Sequence, residues 1–113
     1  MKIATGIDLV YIPRFRVALK QGGKKFLQRV YLREELNDQR VTHLAGIFAA
    51  KEAVTKALNL PTDSWHNIKV IKNSKGAPSI ELKTYNLELT TSSLTISHDG
   101  SYVIAQFIAM LKE

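Results

Sequence analysis

The sequence contains no cysteine and no long apolar run. It therefore has no disulfide, no thiolate nucleophile and no zinc site built on sulfur. No apolar stretch approaches the roughly 20 residues that a membrane-spanning helix needs. The first ten residues hold one lysine and then strand-like sequence that includes Asp8, which is unlike a secretory signal peptide. We therefore expect a cytoplasmic protein with no membrane association.

Common signatures of nucleotide and hydrolase chemistry are also absent. The sequence has neither of the usual phosphate-binding glycine loops, no dinucleotide fingerprint and no histidine cluster at metal-binding spacing. Ser97 and His98 match no hydrolase signature. The aromatic residues are scattered, so they do not predict the stacking platform of a single-strand nucleic-acid binder.

The composition is that of one folded domain. Hydrophobic residues make up 45% and charged residues 23%, a balance that argues against disorder. Residues 1–113 fit a single domain, which is large enough to bury a core without disulfides or metals.

Positive charge is concentrated in the N-terminal half. Residues 1–57 contain 11 basic and 5 acidic residues, whereas residues 58–113 contain 5 of each. Between Val10 and Glu34 there are seven cations and no acid: Arg14, Arg16, Lys20, Lys24, Lys25, Arg29 and Arg33. Such a field attracts an acidic partner, which would be nucleic acid, an acidic protein or a phosphorylated ligand. The alternative is that these charges only solvate a helical surface.

The order of predicted elements is one strand, several helices and then a run of strands. A strand is predicted over 3–10, short helices over 13–20, 24–31 and 33–38, and a long alanine-rich helix over 41–59. Two hairpins follow, pairing 67–72 with 79–83 and 94–98 with 102–109, while 84–92 reads as a short helix or a loop. This order predicts an α+β fold in which one long helix packs on a mostly antiparallel sheet.

Asp8 and Glu52 form the first candidate site. Alternation along the first strand places Asp8 on a face whose other residues, Ala4 and Gly6, are small, so we expect room beside that carboxylate. Glu52 lies in the middle of the long helix. Two carboxylates brought together repel each other unless they share a proton or a cation, and oxygen ligands of this kind suit magnesium. The alternative is that Asp8 caps the following helix and Glu52 is an exposed helical residue.

Two further groups of residues are candidates for phosphate chemistry. Glu52 and Lys56 are four residues apart, so they form either a surface ion pair or a metal ligand followed by a cation one turn later. Phe48, Thr55 and Asn59 share roughly the same helical face. His98 stands where a strand meets a tight turn, so its imidazole is placed either to donate to a phosphate oxygen or to serve a structural role.

Four motifs occur in order along the chain. They are Gly6-Ile7-Asp8-Leu9-Val10, Phe48-Ala49-Ala50-Lys51-Glu52-Ala53-Val54-Thr55-Lys56-Ala57, Gly76-Ala77-Pro78 and Ser97-His98. Together they resemble the holo-[acyl-carrier-protein] synthases, the short bacterial type of 4′-phosphopantetheinyl transferase. The resemblance covers about residues 3–109.

The resemblance implies both an activity and a set of residue roles. The enzyme would transfer phosphopantetheine from coenzyme A to a serine of apo-acyl carrier protein, releasing adenosine 3′,5′-bisphosphate in support of fatty acid biosynthesis. The resemblance makes Asp8 and Glu52 the Mg²⁺ ligands and Glu52 and Lys56 the catalytic residues. Coenzyme contacts would come from Asp8, Phe48, Lys56, Gly76, Pro78 and His98. The acidic carrier protein would dock on Arg14, Arg16, Lys20 and Lys24.

The family likeness also implies a homotrimer with active sites between subunits, in which the Gly76–Pro78 turn reaches a neighbour's coenzyme. The chain departs from the family pattern in three places: Ile47 replaces an arginine, Asn59-Leu60-Pro61 replaces Gly-Thr-Gly, and the connection over 84–93 is short. We expect altered coenzyme contacts from the first two and altered trimer packing from the third.

A second hypothesis is a non-catalytic basic module that docks an acidic carrier protein or nucleic acid. Asp8, Glu52 and Lys56 distinguish the two hypotheses, because a binding module has no need for two inward carboxylates among its cations. Nucleic acid is accordingly the less favoured partner.

Overall fold

A computed structural model describes residues 1–83 and 89–112, and these residues form an α+β fold, as predicted. The strands and helices in chain order are β1 Lys2–Tyr11, α1 Ile12–Val30, α2 Val41–Leu58, β2 Ile68–Lys72, β3 Pro78–Leu82, β4 Leu89–Asp99 and β5 Tyr102–Leu111. Short 3₁₀ turns cover Arg33–Asn37 and Trp65–Asn67. No helix in the described ranges is both long and apolar enough to cross a membrane.

The strands form two antiparallel sheets rather than one. The first has the order β1-β5-β4, and the second is the β2–β3 hairpin, whose strand β3 lies beside β4. Both predicted hairpins are therefore confirmed. In the first sheet Ala105 of β5 faces Asp8 of β1 on one side and Ile96 of β4 on the other. This register places β1 and β4 at opposite edges of the sheet.

The prediction for residues 84–92 was wrong over its described part. Residues 89–92 belong to strand β4, and 84–88 lie outside the described residues. The polar sequence concealed the strand because its threonines and serines are solvent-exposed, although β-branched threonine suits a pleated surface. The Thr90 hydroxyl also donates to the Met110 carbonyl oxygen of β5 at 3.0 Å, which ties the start of β4 to the sheet.

Helix α1 is bent where Gly22-Gly23 predicted a break. Gly23 has φ +55° and ψ −139°, a conformation far from helical, and the segments on either side are continuous helix. Pro13 lies in the first turn, where its missing N–H costs no hydrogen bond. The third predicted helix, over 33–38, is only the 3₁₀ turn Arg33–Asn37.

Helix α2 packs directly on the inner face of β1 and β5. Its buried residues are mostly small, and Ala45, Ala49 and Ala53 have no exposed surface. Gly6 of β1 allows the closest approach, because a Cβ at that position would overlap the Ala53 carbonyl oxygen and lie 2.9 Å from the Ala57 nitrogen. The space expected beside Asp8 is therefore occupied by α2.

A buried ion pair fixes α2 against the rest of the molecule. Lys51 is completely buried, and its Nζ donates to Glu35 Oε1 at 2.6 Å. The same ammonium donates to the carbonyl oxygens of Val30 at 2.7 Å and Trp65 at 3.0 Å. One cation thereby joins α2 to the end of α1 and to both 3₁₀ turns.

The Glu35 carboxylate accepts further hydrogen bonds from the backbone. Its Oε1 also accepts the Leu32 N–H at 2.8 Å, and its Oε2 accepts the Val70 N–H of β2 at 2.9 Å. Both carboxylate oxygens are therefore hydrogen-bonded, the condition under which a buried charge pair is tolerated. Loss of one partner from such a pair typically costs 3–5 kcal/mol, because the other charge stays buried without compensation.

Replacing Gly6 with alanine is expected to lower the free energy of unfolding by about 2–3 kcal/mol, because the added methyl would force α2 away from β1. Gly46→Ala is the matched control, since its Cβ would lie at an ordinary 3.4 Å from Ile96 Cγ2 and alanine favours the helix. Urea unfolding followed by circular dichroism measures both changes. A Gly6→Ala protein as stable as wild type would contradict the close contact between β1 and α2.

Candidate functional site

Strand β1 and helix α2 bring Asp8 and Lys56 into contact. The Lys56 ammonium donates to Asp8 Oδ1 at 3.0 Å and to the Ile7 carbonyl oxygen at 3.1 Å. Asp8 does not cap α1, because the N-cap residue is Tyr11 and no side chain bonds there. Burial raises the pKa of the Asp8 carboxyl, while the hydrogen bond and the charge of Lys56 oppose that rise.

Glu52 lies close enough to this pair to interact with both of its charges. Burial raises the pKa of Glu52, the Asp8 carboxylate raises it further, and Lys56 opposes the rise. Lys56 is bonded to Asp8, and it forms no ion pair with Glu52 among the described residues. The sequence analysis offered a surface ion pair between Glu52 and Lys56 as the alternative to a metal site. That ion pair is not formed among the described residues. Two like-charged carboxylates and one ammonium instead meet where α2 crosses β1.

The chemistry of these donors suits a hard divalent cation. Carboxylate oxygens are the ligands that magnesium prefers, and the ion commonly keeps several waters and binds through one or two carboxylates. Within residues 1–83 and 89–112 no group of three or more histidine, aspartate or glutamate side chains converges on one point. A two-carboxylate site leaves the other coordination positions to water and to substrate oxygens.

A cavity of about 430 Å³ opens on another side of α2. It is lined by Arg40, Thr42, His43, Gly46, Ile47, Lys72, Gly76, Pro78, Ile96 and His98. Three of the predicted coenzyme-binding residues, Gly76, Pro78 and His98, therefore lie together. No carboxylate is among the lining residues, whereas two cations and two histidines are, so the cavity favours an anion.

The predicted site residues thus fall into two groups that lie apart in the folded chain. Asp8 lies on β1 and His98 on β4, with β5 between them. Neighbouring strands are about 4.8 Å apart, so two such spacings separate these edges. Asp8, Glu52 and Lys56 do not line the cavity.

Phe48 joins neither group. Its ring packs against Phe15, Phe26 and Trp65, with centroid distances of 5.4, 6.1 and 5.2 Å. This aromatic cluster attaches α1 to α2. Thr55 belongs to neither group either, because its hydroxyl donates to the Lys51 carbonyl oxygen of its own helix at 2.8 Å.

Asn59 explains how the chain tolerates one departure from the family pattern. It ends α2 in the left-handed conformation, with φ 52° and ψ 49°, and its N–H donates to the Thr55 carbonyl oxygen. Glycine is the usual residue at such a position, and asparagine is the best substitute. The turn after α2 is therefore made without the glycines that the resemblance led us to expect.

The basic residues of α1 form an exposed surface. Arg14, Arg16, Lys20 and Lys24 are all solvent-exposed, and no carboxylate in the described part of the chain pairs with them. The Arg14 guanidinium lies over the Tyr11 ring, 5.6 Å from its centroid. Their positive charge is consequently available to a partner.

Sequence reasoning missed the Lys51–Glu35 pair and the three basic residues Arg40, His43 and Lys72 of the cavity. Lys51 had a detectable signal, because it falls two turns after Leu44 on the apolar side of α2 and a charge there requires a partner. Arg40, His43 and Lys72 gave no such signal. They come from separate elements, and only the folded chain places them around one cavity.

Comparison with known proteins identifies the relatives of this chain. Residues 4–107 match the 4′-phosphopantetheinyl transferase superfamily. The holo-[acyl-carrier-protein] synthase of Dehalococcoides mccartyi is 38% identical over 93% of this chain and 96% of its own, and that of Wolinella succinogenes is 39% identical over 95% and 96%. The Helicobacter pylori enzyme, solved in complex with coenzyme A, has a TM-score of 0.84 at 34% identity, covering 94% of this chain and 99% of its own. The fold implied by the motifs is therefore confirmed.

Glu52→Gln is expected to raise the melting temperature by a few degrees at pH 7.5 in EDTA, because the amide has no charge for burial to disfavour or for Asp8 to repel. A raised carboxyl pKa means that the wild type loses stability as pH rises through that pKa. The two proteins should therefore converge as pH falls toward 4.5, the ordinary value for glutamate. Thermal scans across this range measure the difference.

Glu34→Gln is the control, and its expected change in melting temperature has the opposite sign, because a hydrogen bond from Lys69 lowers the pKa of that exposed carboxyl. Its removal should slightly lower the melting temperature at neutral pH. A Glu52→Gln protein that melts below wild type at pH 7.5 would show that the ionised Glu52 carboxylate stabilises the folded protein, contrary to this prediction.

Proposed function

The chain belongs to the 4′-phosphopantetheinyl transferase superfamily, and we propose that it transfers 4′-phosphopantetheine from coenzyme A to a serine hydroxyl of an apo-acyl carrier protein. The serine oxygen forms a bond to the phosphorus that carries pantetheine. The bond from that phosphorus to the bridging oxygen breaks, and adenosine 3′,5′-bisphosphate leaves with that oxygen. The observation that carries the proposal is the meeting of Asp8, Glu52 and Lys56 where α2 crosses β1.

In this proposal Asp8 and Glu52 hold a magnesium ion. Their mutual repulsion would be relieved by a shared cation, and the pyrophosphate would supply further oxygen ligands. When bound, the ion neutralises negative charge on the pyrophosphate. The likeness to holo-[acyl-carrier-protein] synthases and the donor chemistry are the support for this assignment.

Lys56 and Glu52 have separate roles in the transfer. The side chain of Lys56 is half-exposed and its ammonium lies beside Asp8, where it could reach a phosphate oxygen. Glu52, one helical turn before Lys56, is assigned to take the serine proton, directly or through a water molecule. Positioning of the serine and neutralisation of charge are the main requirements of phosphoryl transfer.

The nucleotide half of coenzyme A is assigned to the cavity with Gly76, Pro78 and His98. Its volume of about 430 Å³ falls within the range of small-molecule sites. Its cationic lining suits a phosphorylated ligand. Phe48 is left out of this assignment, because its ring packs among other aromatic residues.

We also propose a homotrimer whose sites lie between subunits. The carboxylates and the cavity occupy opposite edges of one sheet, so a neighbouring subunit can join them better than one subunit can alone. The outer face of that sheet exposes Ile3, Ile7, Leu9, Ile104 and Ile108. A contiguous apolar surface of this kind marks an interaction site. The number of subunits follows from the family resemblance.

The acidic carrier protein is proposed to dock on Arg14, Arg16, Lys20 and Lys24 of α1. These cations are exposed, and no acid interrupts them along α1. Complementary charge of this kind accelerates association and orients the partner. Support of fatty acid biosynthesis is the proposed biological role.

The proposal is tested by mixing the chain with coenzyme A, Mg²⁺ and an apo-carrier protein and measuring the carrier by mass spectrometry. The carrier is expected to gain one phosphopantetheine. Asp8→Ala and Glu52→Ala are expected to lower the rate at least about 100-fold with an unchanged circular dichroism spectrum, because each removes a ligand or proton acceptor. Glu34→Ala, an exposed carboxylate elsewhere, should leave the rate unchanged.

Binding of the carrier without any mass gain would instead favour the non-catalytic module. Duplex binding that falls steeply with salt would favour nucleic acid as its partner. A fully active Asp8→Ala protein would remove the metal assignment.

Shared sites are tested by co-producing Asp8→Ala with His98→Asp, two variants expected to be inactive alone. In a mixed trimer, an intact carboxylate group on one subunit meets an intact cavity on its neighbour. Activity should recover to roughly a quarter of wild type in an equal random mixture, and sedimentation should give three times 12.7 kDa. No recovery in confirmed mixed trimers would place each site within one subunit.

A further inference from the structure

We propose that Lys56 competes with the divalent cation for the Asp8 carboxylate, so that the metal binds tightly only when a phosphate of the donor draws the Lys56 ammonium away. The inference rests on the proposed function, which assigns Asp8 and Glu52 to the metal. It gives Lys56 a second role beside phosphate contact, because through this lysine the binding of metal and the binding of donor depend on each other.

The Lys56 ammonium holds one of the two carboxylate oxygens of Asp8. It donates to Asp8 Oδ1 at 3.0 Å, and a second bond to the Ile7 carbonyl oxygen at 3.1 Å ties it to the backbone of β1. An ammonium has three donors and no acceptor, so it cannot take part in the coordination of a metal. A divalent ion on the same carboxylate would therefore face a positive charge within hydrogen-bond distance of its ligand.

Lys56 also supplies the positive charge that the two carboxylates require. Burial raises the pKa of both Asp8 and Glu52, and Lys56 opposes the rise at each of them. In the part of the chain that the structure describes, no other cation forms an ion pair with either carboxylate. One lysine thus relieves the same repulsion that a shared metal ion would relieve, so the two cations are alternatives.

Of the two partners in this ion pair, the lysine is the one that can move. The side chain of Lys56 is 54% exposed, whereas that of Asp8 is 14% exposed and belongs to a strand packed against α2. An ion pair with so exposed a cation contributes little free energy, so its separation costs little. Lys51, one turn earlier on the same helix, shows the opposite case, because its side chain is fully buried and cannot leave Glu35.

The pyrophosphate of the donor gives the displaced ammonium a new partner. A phosphate oxygen within reach of Lys56 replaces the Asp8 oxygen, and the carboxylate is released to the metal. Two ligands that favour the same displaced position of one side chain strengthen each other's binding by the same factor. The chain should therefore bind metal weakly by itself and strongly together with the donor.

The experiment measures Mg²⁺ binding by calorimetry in the absence of donor, with Asp8→Ala identifying the heat that arises at this site. Lys56→Met and Lys56→Gln are expected to bind Mg²⁺ roughly tenfold more tightly than wild type, because each removes a unit positive charge beside the ligand. Lys56→Arg keeps the charge and should retain the wild-type affinity. Lys69→Met, which removes a cation paired with Glu34, is the matched control for net charge and should change nothing.

A second titration repeats the measurement at saturating coenzyme A without carrier protein, and Mg²⁺ added to coenzyme A alone is the blank. Coenzyme A is expected to strengthen Mg²⁺ binding in wild type, because it draws Lys56 away from Asp8. The same strengthening should be roughly tenfold smaller in Lys56→Met, which has no ammonium to displace.

Unchanged or weaker Mg²⁺ binding in Lys56→Met and Lys56→Gln would overturn the inference, and so would an equal gain in Lys69→Met. If transfer to the carrier proceeds normally in that case, the proposed function still stands. The absence of any Asp8-dependent Mg²⁺ binding would overturn the inference together with the metal assignment. Tighter binding in both neutral variants of a protein that transfers nothing would retain the inference and reject the proposed function.

Discussion

The buried ion pair between Lys51 and Glu35 is the interaction on which the arrangement of the molecule depends. It connects α2 to α1, to both 3₁₀ turns and to β2 through one ammonium and one carboxylate. Because every one of these bonds is directional, they fix the rotation of α2 about its axis. That rotation directs Glu52 and Lys56 toward β1 and places Gly46 and Ile47 at the cavity.

The contact between Gly6 and Ala53 sets how closely β1 approaches α2, and with it how close Asp8 lies to the side chains of the helix. With no Cβ at position 6, the backbone of β1 approaches α2 closely, and Asp8 two residues later is held against the helix. This proximity places two carboxylates in a partly dehydrated setting, where each charge is unfavourable and the pKa of each is raised. Ionised groups that the fold destabilises in this way are common where proteins bind cations or move protons.

Much of the fold was predictable because its signals are local. The alternation of residues along β1 predicted a strand, and the alanine-rich helical periodicity of α2 predicted a helix. The pair Gly22-Gly23 predicted where α1 is interrupted. The convergence of Asp8 and Glu52 was predictable from the family motifs. Residues 89–92 were misassigned because an exposed polar strand resembles a loop when its pairing partner is unknown. The basic lining of the cavity could not be predicted because Arg40, His43 and Lys72 meet only through tertiary contacts, and their spacing along the chain has no period.

The apolar outer face of the first sheet has a consequence for how this protein behaves when diluted. Isoleucines and a leucine on β1 and β5 leave a water-facing surface of the kind that association normally removes from solvent. If copies of the chain cover that face for one another, each folded subunit draws part of its stability from mass action rather than from its own core. Folding and assembly would then be a single equilibrium, and the amount of protein present would set the temperature at which the fold is lost.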